Sequence, residues 1–130
     1  EMARKTLENG GSTLMCKTAE DIENITAKSA AEAAENDDET AKEVYRICGE
    51  KLGEGLAILA DILDPQAIII GSIFARSGHL LKDSVEKALH REALSQTAGC
   101  RIIPAGLGEK IGDLASLGIA LDAAANGGKA

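Results

Sequence analysis

Gly71, Ser72 and Ile73 are the residues of this sequence best suited to contact a ligand. They follow an uninterrupted apolar run, residues 67–70, that has the character of a buried β-strand. In α/β proteins, ligands collect at the carboxyl ends of strands, where loop amides are free to meet polar atoms. Glycine also lets a ligand approach the backbone closely. A simple turn from a strand into a helix would use the same residues, so both interpretations stay open here.

Three basic side chains follow this segment. Arg76 could donate two hydrogen bonds to a phosphate group, or it could form a surface salt bridge. His79 and His90 have no cysteine or paired carboxylate at a metal-ligand spacing, so metal binding is not expected. We expect surface positions for both, with His79 near the start of a helix and His90 near its C-terminal end, where positive charge is favourable.

Gly53 and Gly55 lie inside a segment with strong helical periodicity. Each costs about 1 kcal/mol relative to alanine in a helix interior, so a closely approaching neighbour is expected to compensate. They do not form a dinucleotide fingerprint, because they are not placed between a strand and a helix and the third glycine is missing. Close helix packing is the favoured interpretation, and contact with a ligand is the alternative.

Composition and charge exclude several classes of function. The net charge is −7, which argues against nucleic-acid binding through this segment. No apolar stretch of about 18 residues predicts a membrane span. The three cysteines, Cys16, Cys48 and Cys100, include no C-x-x-C pair and are expected to be reduced residues of a cytoplasmic protein. The first residues lack the apolar core of a signal peptide, and their helical character suggests that the natural chain begins upstream.

The elements that position these residues divide the chain into two parts of one lobe. Residues 1–66 are predicted to be helical, with helix starts at Thr18, Thr26 and the Asn36-Asp37-Asp38 sequence. The longest helix is predicted over 39–63, with the C-terminal half buried on most sides.

Residues 67–125 are predicted to form a β-α-β-α unit. Its strands are residues 67–70 and 101–103, its helices are residues 80–91 and 113–125, and residues 126–130 are a frayed tail. The strands are expected to be parallel and buried on both faces, and the closing helix to place Leu114, Leu117, Leu121 and Ala124 inward. Two strands alone bury too little, so further strands are expected from upstream residues or from a second copy of the chain.

The order of motifs from Thr26 onward resembles the C-terminal portion of the ROK family, which includes bacterial glucokinases, N-acetylmannosamine kinases and sugar-responsive repressors. An alanine-rich helix is followed by Asn-Asp-Asp at 36–38, Leu-Gly-Glu-Gly-Leu-Ala at 52–57 and Leu-Asp-Pro-Gln at 63–66. The sequence Ala-Ile-Ile-Ile-Gly-Ser then occupies 67–72, and Ile-Ile-Pro-Ala occupies 102–105. The resemblance covers about 105 residues.

This resemblance implies an α/β fold, as the C-terminal part of a ribonuclease-H-like ATPase lobe of the actin and hexokinase type. It implies ATP with Mg²⁺ as the cofactor and a sugar as the phosphoryl acceptor. By the same resemblance, Gly71, Ser72 and Ile73 lie at the nucleotide, although the family usually has two or three glycines there. Gly53 and Gly55 would then be candidates for the adenine pocket.

The family's catalytic base, sugar-binding residues and zinc motif would all lie upstream, so no catalytic or metal-binding residue is assigned to this chain. An isolated chain is expected to be inactive, although its parent protein would be a sugar kinase. The alternatives are the sugar-sensing lobe of a ROK-type repressor and a non-catalytic helical interaction module. Expected partners are the upstream part of the same protein and further copies of the chain.

Overall fold

The computed structural model describes residues 1–126, and the first half of the chain is helical as predicted. Helix α1 spans Met2–Glu8, and a short 3₁₀ helix spans Ala19–Asn24. Helix α2 spans Ala27–Glu35, and α3, the longest element, spans Glu39–Leu63. The length of α3 is the one that the sequence predicts.

Side-chain caps separate these helices. The Thr26 hydroxyl accepts a hydrogen bond from the Ser29 N–H at 3.1 Å, so α2 begins independently of the 3₁₀ helix before it. The carboxylate of Asp38 caps α3 and accepts a hydrogen bond from the Ala41 N–H at 2.7 Å. The predicted helix starts at Thr26 and Asp38 are therefore confirmed.

Asp38 also joins the start of α3 to an earlier loop, because its second carboxylate oxygen accepts a hydrogen bond from the Leu14 N–H. The side chain is buried. Burial alone would raise the pKa of the Asp38 carboxyl, but hydrogen bonds from the Leu14 and Ala41 amides and the Thr13 hydroxyl hold that pKa below its usual value. The carboxylate is thus a charged structural clasp between the loop and α3.

The second half has the predicted β-α-β-α order. Strand β1 is Ala67–Ile70, helix α4 is Ile73–Glu92, strand β2 is Arg101–Pro104, and helix α5 is Ile111–Ala125. The strands pair in parallel, with Ala67 opposite Arg101 and Ile70 opposite Pro104. The parallel arrangement of these two strands is confirmed. The predicted tail begins at Asn126, and its residues 127–130 lie outside the described residues.

Helix α4 begins at Ile73 rather than at the predicted residue 80. A break at Ser77, with φ −120° and ψ 20°, interrupts the helix where the sequence predicts a loop. Phe74 and Ser77 are both buried, so packing of this first segment outweighs the weak helix propensity of Ser77-Gly78. His79 follows this break by two residues and lies at the start of the second helical segment of α4, which agrees with its predicted position near a helix start.

Helices α3 and α4 form the core through close backbone contact. A Cβ atom added to Gly53 would lie 2.4 Å from the Val85 carbonyl oxygen, and one added to Gly49 would lie 2.0 Å from the Ser84 hydroxyl oxygen. A Cβ atom added to Gly55 would meet no atom within 4 Å. Close packing is therefore the correct interpretation for Gly53 and the wrong one for Gly55, and Gly49 is a packing position that the sequence analysis missed.

Three predictions of burial are wrong for this chain. The C-terminal half of α3 exposes large apolar side chains, strand β1 exposes 70% of Ile69, and the described side chains of α5 are all exposed. Ile69 is exposed because α4 packs on one face of the two-stranded sheet and residues 1–126 supply no layer for the other. The apolar faces of α3 and α5 likewise have no covering element within these residues. The exposed apolar residues are Ile58, Leu59, Ile62 and Leu63 in α3 and Ile111, Leu114, Leu117, Ile119 and Leu121 in α5; Ala124 is exposed as well.

Within residues 1–126, no helix combines the length and apolar character needed to cross a membrane.

Candidate functional site

The carboxyl ends of the two strands lie side by side and form one edge. The Ala105 N–H donates a hydrogen bond to the Ile70 carbonyl at 2.9 Å, which carries the pairing past the last strand residues. A Cβ atom on Gly71 would lie 3.8 Å from the Ala105 Cβ, an ordinary contact. The loops after β1 and β2 are therefore neighbours, as expected at the ligand-binding edge of a parallel sheet.

The turn from β1 into α4 is tight. Ser72 has φ 50° and ψ −115°, a conformation that costs a non-glycine residue about 1–3 kcal/mol. The amides of Phe74 and Ala75 donate hydrogen bonds back to the carbonyls of Gly71 and Ser72, at 3.2 and 3.0 Å. The N-terminus of α4, with its partial positive charge, is thereby held at the strand edge.

An apolar cavity of about 260 Å³ adjoins this turn through Ile73. The Tyr45 hydroxyl, which lies on its wall, donates a hydrogen bond to the Ala27 carbonyl at 3.0 Å and is thus already engaged. The Cys48 side chain is exposed, whereas Cys16 and Cys100 are buried. The cavity is lined by Ala27 and Ala30 of α2, by Val44, Tyr45, Cys48 and Leu52 of α3, and by Ile73 and Leu81 of α4.

A second, charged cavity of about 460 Å³ meets the apolar cavity at Ala27 and Ile73. It lies between α2 and the first turns of α4, and its polar lining residues are Lys28, Glu32, Glu35, Arg76 and Ser77. The Nε2 atom of His79 lies 3.0 Å from the Glu35 Oε1 atom, so this contact links α4 to α2 beside the cavity. The site thus offers an apolar compartment and a charged compartment with Ile73 between them.

The structure brings most of the predicted site residues together. Gly71 and Ser72 form the turn, Ile73 lines both cavities, and Arg76 lines the charged one. His90 lies near the C-terminal end of α4, as predicted, where its Nδ1 atom is 2.7 Å from the Glu86 carbonyl oxygen.

Gly53 does not belong to this site, whereas three residues that the sequence did not predict do. Gly53 lies between α3 and α4 and lines neither cavity, so it does not belong to this site. The sequence analysis missed Val44, Tyr45 and Cys48 as cavity residues, because their helical spacing is that of an ordinary core face. No three His, Cys, Asp or Glu side chains cluster as a metal site in the part of the chain that the structure describes.

The chain is similar in structure to a ROK family glucokinase from Streptomyces griseus, which was crystallised in complex with glucose and AMPPNP. The TM-score is 0.70 and the identity is 30%, with 84% of this chain and 35% of that chain covered. A ROK family transcriptional regulator, a homolog of the Escherichia coli MLC protein, has the same fold, with a TM-score of 0.65 and 20% identity over 78% of this chain and 25% of its own.

In sequence, the chain is 29% identical over 73 residues to the DNA-binding transcriptional dual regulator NagC of Escherichia coli K12. That match covers 56% of this chain and 18% of the regulator. The chain thus spans well under half the length of these relatives, among which are both a kinase and regulators. A sequence model of the ROK family matches residues 7–122, which is most of the chain. This protein therefore belongs to the ROK family.

Proposed function

We propose that this chain is the C-terminal part of an ATP-dependent sugar kinase and forms part of its nucleotide-binding lobe, of the ribonuclease-H-like type. The observation that carries the proposal is the placement of the Gly71–Ser72 turn beside an apolar cavity and a charged cavity. A nucleotide has an apolar, stacking base, which suits the apolar cavity, and a phosphate tail. In the charged cavity the groups suited to phosphate are Lys28 and Arg76, beside the carboxylates of Glu32 and Glu35. The likeness to a glucokinase crystallised with AMPPNP supports the choice.

In this proposal, the base enters the apolar cavity and the phosphates lie towards the strand edge. The N-terminus of α4, with its partial positive charge, would face phosphate oxygens there. The guanidinium of Arg76, on the wall of the charged cavity, offers a planar donor group for phosphate. The Mg²⁺ ion would accompany the ATP phosphates.

The chain's proposed share of the reaction is to position the nucleotide. Phosphoryl transfer also needs a base that accepts the sugar hydroxyl proton, and a second clamp on the phosphates. By the resemblance to ROK kinases, we expect both to lie upstream of this chain. The proposed partners are therefore the upstream part of the protein, ATP and a hexose.

Alkylation of Cys48 tests the position of the base. The Cys48 side chain is exposed and lines the apolar cavity, whereas the buried Cys16 and Cys100 serve as internal controls. We expect MgATP to slow alkylation of Cys48 by N-ethylmaleimide at least several-fold, with inorganic tripolyphosphate giving little protection. Mass spectrometry of the labelled peptides gives the three rates separately. Unchanged Cys48 labelling at saturating MgATP would contradict the proposed site.

A sugar-sensing lobe of a repressor is the second candidate, because NagC, a DNA-binding regulator, matches 73 residues of this chain. With a net charge of −7, this segment would repel DNA phosphates, so DNA contact would belong to another part of such a protein. A coupled ADP-release assay on the full-length protein with a panel of hexoses separates the candidates. Sugar-dependent ADP release supports the kinase, whereas sugar-dependent operator binding without ADP release supports the repressor.

A further inference from the structure

We propose that the apolar cavity recognises the nucleotide base by burial and stacking, without hydrogen bonds to the base edge, so that a purine nucleotide that simply lacks the 6-amino group of adenine is accepted as well as ATP. The inference rests on the proposed function, because it assumes that a nucleotide base occupies this cavity. It concerns how the site selects among nucleotides.

The wall of the cavity is poor in free hydrogen-bonding side chains. Six of its eight lining residues are Ala, Val, Leu or Ile, and the other two are Tyr45 and Cys48. The Tyr45 hydroxyl donates its hydrogen to the Ala27 carbonyl, so it is not free to donate to a base. A thiol is only a weak donor and acceptor. The strongly polar residues nearby, Lys28, Glu32 and Arg76, line the charged cavity rather than this one.

Such a wall limits how strongly the site can discriminate. A site built to hydrogen-bond a substrate group rejects an analogue without that group by about 10⁴-fold, because its own polar groups are left unpaired. In this cavity the Tyr45 hydroxyl has its own partner and the Cys48 thiol is weak, so an analogue leaves no strong donor unpaired, and discrimination stays at about 10- to 100-fold. The cavity penalises polar atoms that become buried without partners. The least polar purine should therefore bind best.

Purine riboside 5′-triphosphate, which is ATP without the amino group, is the decisive ligand. We expect its dissociation constant, measured by calorimetry with Mg²⁺ on the full-length protein, to be within threefold of the ATP value or lower. GTP, with a more polar base edge, should bind about 10- to 100-fold more weakly than ATP. A dissociation constant for the purine riboside nucleotide less than tenfold above that of ATP supports the inference, and a larger one overturns it.

The variant Val44→Trp tests whether the base lies in the apolar cavity. Val44 is half-buried on the cavity wall, and a bulky ring there should occupy the space of the base. We expect the variant to weaken the binding of ATP and of purine riboside 5′-triphosphate by the same factor, at least tenfold, and to leave the affinity for inorganic tripolyphosphate within twofold. Helical circular dichroism equal to that of the wild type shows that the variant is folded, and Val44→Ile is the matched conservative control.

The outcomes separate the two proposals. If the wild type binds no nucleotide, the proposed function fails together with this inference. If it binds ATP but binds purine riboside 5′-triphosphate at least tenfold more weakly, or if Val44→Trp leaves ATP binding unchanged, only this inference fails.

Discussion

Substitution of Gly53 by alanine should destabilise the chain, although alanine is the better helix former. A Cβ atom at this position would lie 2.4 Å from the Val85 carbonyl oxygen and 2.7 Å from the Ala88 Cβ, which is about 1 Å short of an ordinary contact. Overpacking of this kind costs about 1–3 kcal/mol, and here the upper end applies because one obstructing atom is backbone. The higher helix propensity of alanine offsets about 1 kcal/mol of this cost. We therefore expect a net loss of about 2 kcal/mol in the free energy of unfolding.

Gly55, two residues later in the same helix, provides the matched control. Its added Cβ atom would meet no atom within 4 Å, so Gly55→Ala should stabilise the chain by about 1 kcal/mol. Urea unfolding followed by circular dichroism at 222 nm should separate the two variants by about 3 kcal/mol, which corresponds to roughly 10 °C in Tm. If Gly53→Ala is as stable as the wild type, then α3 and α4 do not approach each other as closely as the structure shows.

Three further predictions follow from the clasp, the turn and the exposed faces. Asp38→Asn should lower the free energy of unfolding by about 1–2 kcal/mol at pH 7, because the asparagine side chain has one acceptor oxygen for the Leu14 and Ala41 amides. Because the folded-state pKa of Asp38 is lowered, the difference in the free energy of unfolding between variant and wild type, measured by urea unfolding, should shrink as the pH falls through that pKa. Gly71→Trp in the full-length protein should weaken ATP binding at least tenfold in calorimetry with little change in Tm, and equal affinity would remove Gly71 from the site. The isolated chain should self-associate in light scattering and release no ADP with any hexose, whereas a monodisperse monomer that turns over glucose would refute our assignment of this chain as a kinase fragment.

Local signals were sufficient to predict most of the elements. Cap residues such as Thr26 and Asp38 act within one turn of the chain, so their effect is visible in the sequence. The run of isoleucines predicted β1 with the observed bounds. The start of α4 was mispredicted because Ser77 and Gly78 resemble a loop locally, and the packing that holds them in a helix comes from distant residues.

Burial and the site were harder to predict because both depend on what each face meets. The apolar residues of α5 predict a buried helix, but they give no information on whether the covering layer lies within residues 1–126. Likewise, the sequence places Gly71 and Ser72 at a strand end, whereas the apolar cavity beside them arises only when α2, α3 and α4 meet. The α3 residues that line the cavity have the helical spacing of an ordinary buried face, so their pattern in the sequence did not indicate a site.

The position of Tyr45 has a spectroscopic consequence. The chain contains one tyrosine and no tryptophan, and that tyrosine lies on the wall of the apolar cavity. Its ultraviolet emission therefore comes from a single known place. A base stacked in the cavity would change that emission directly, and so would loss of the hydrogen bond from Tyr45 to Ala27 between α3 and α2. Within these 130 residues, Tyr45 is thus an intrinsic optical reporter of cavity occupancy, with no label to introduce.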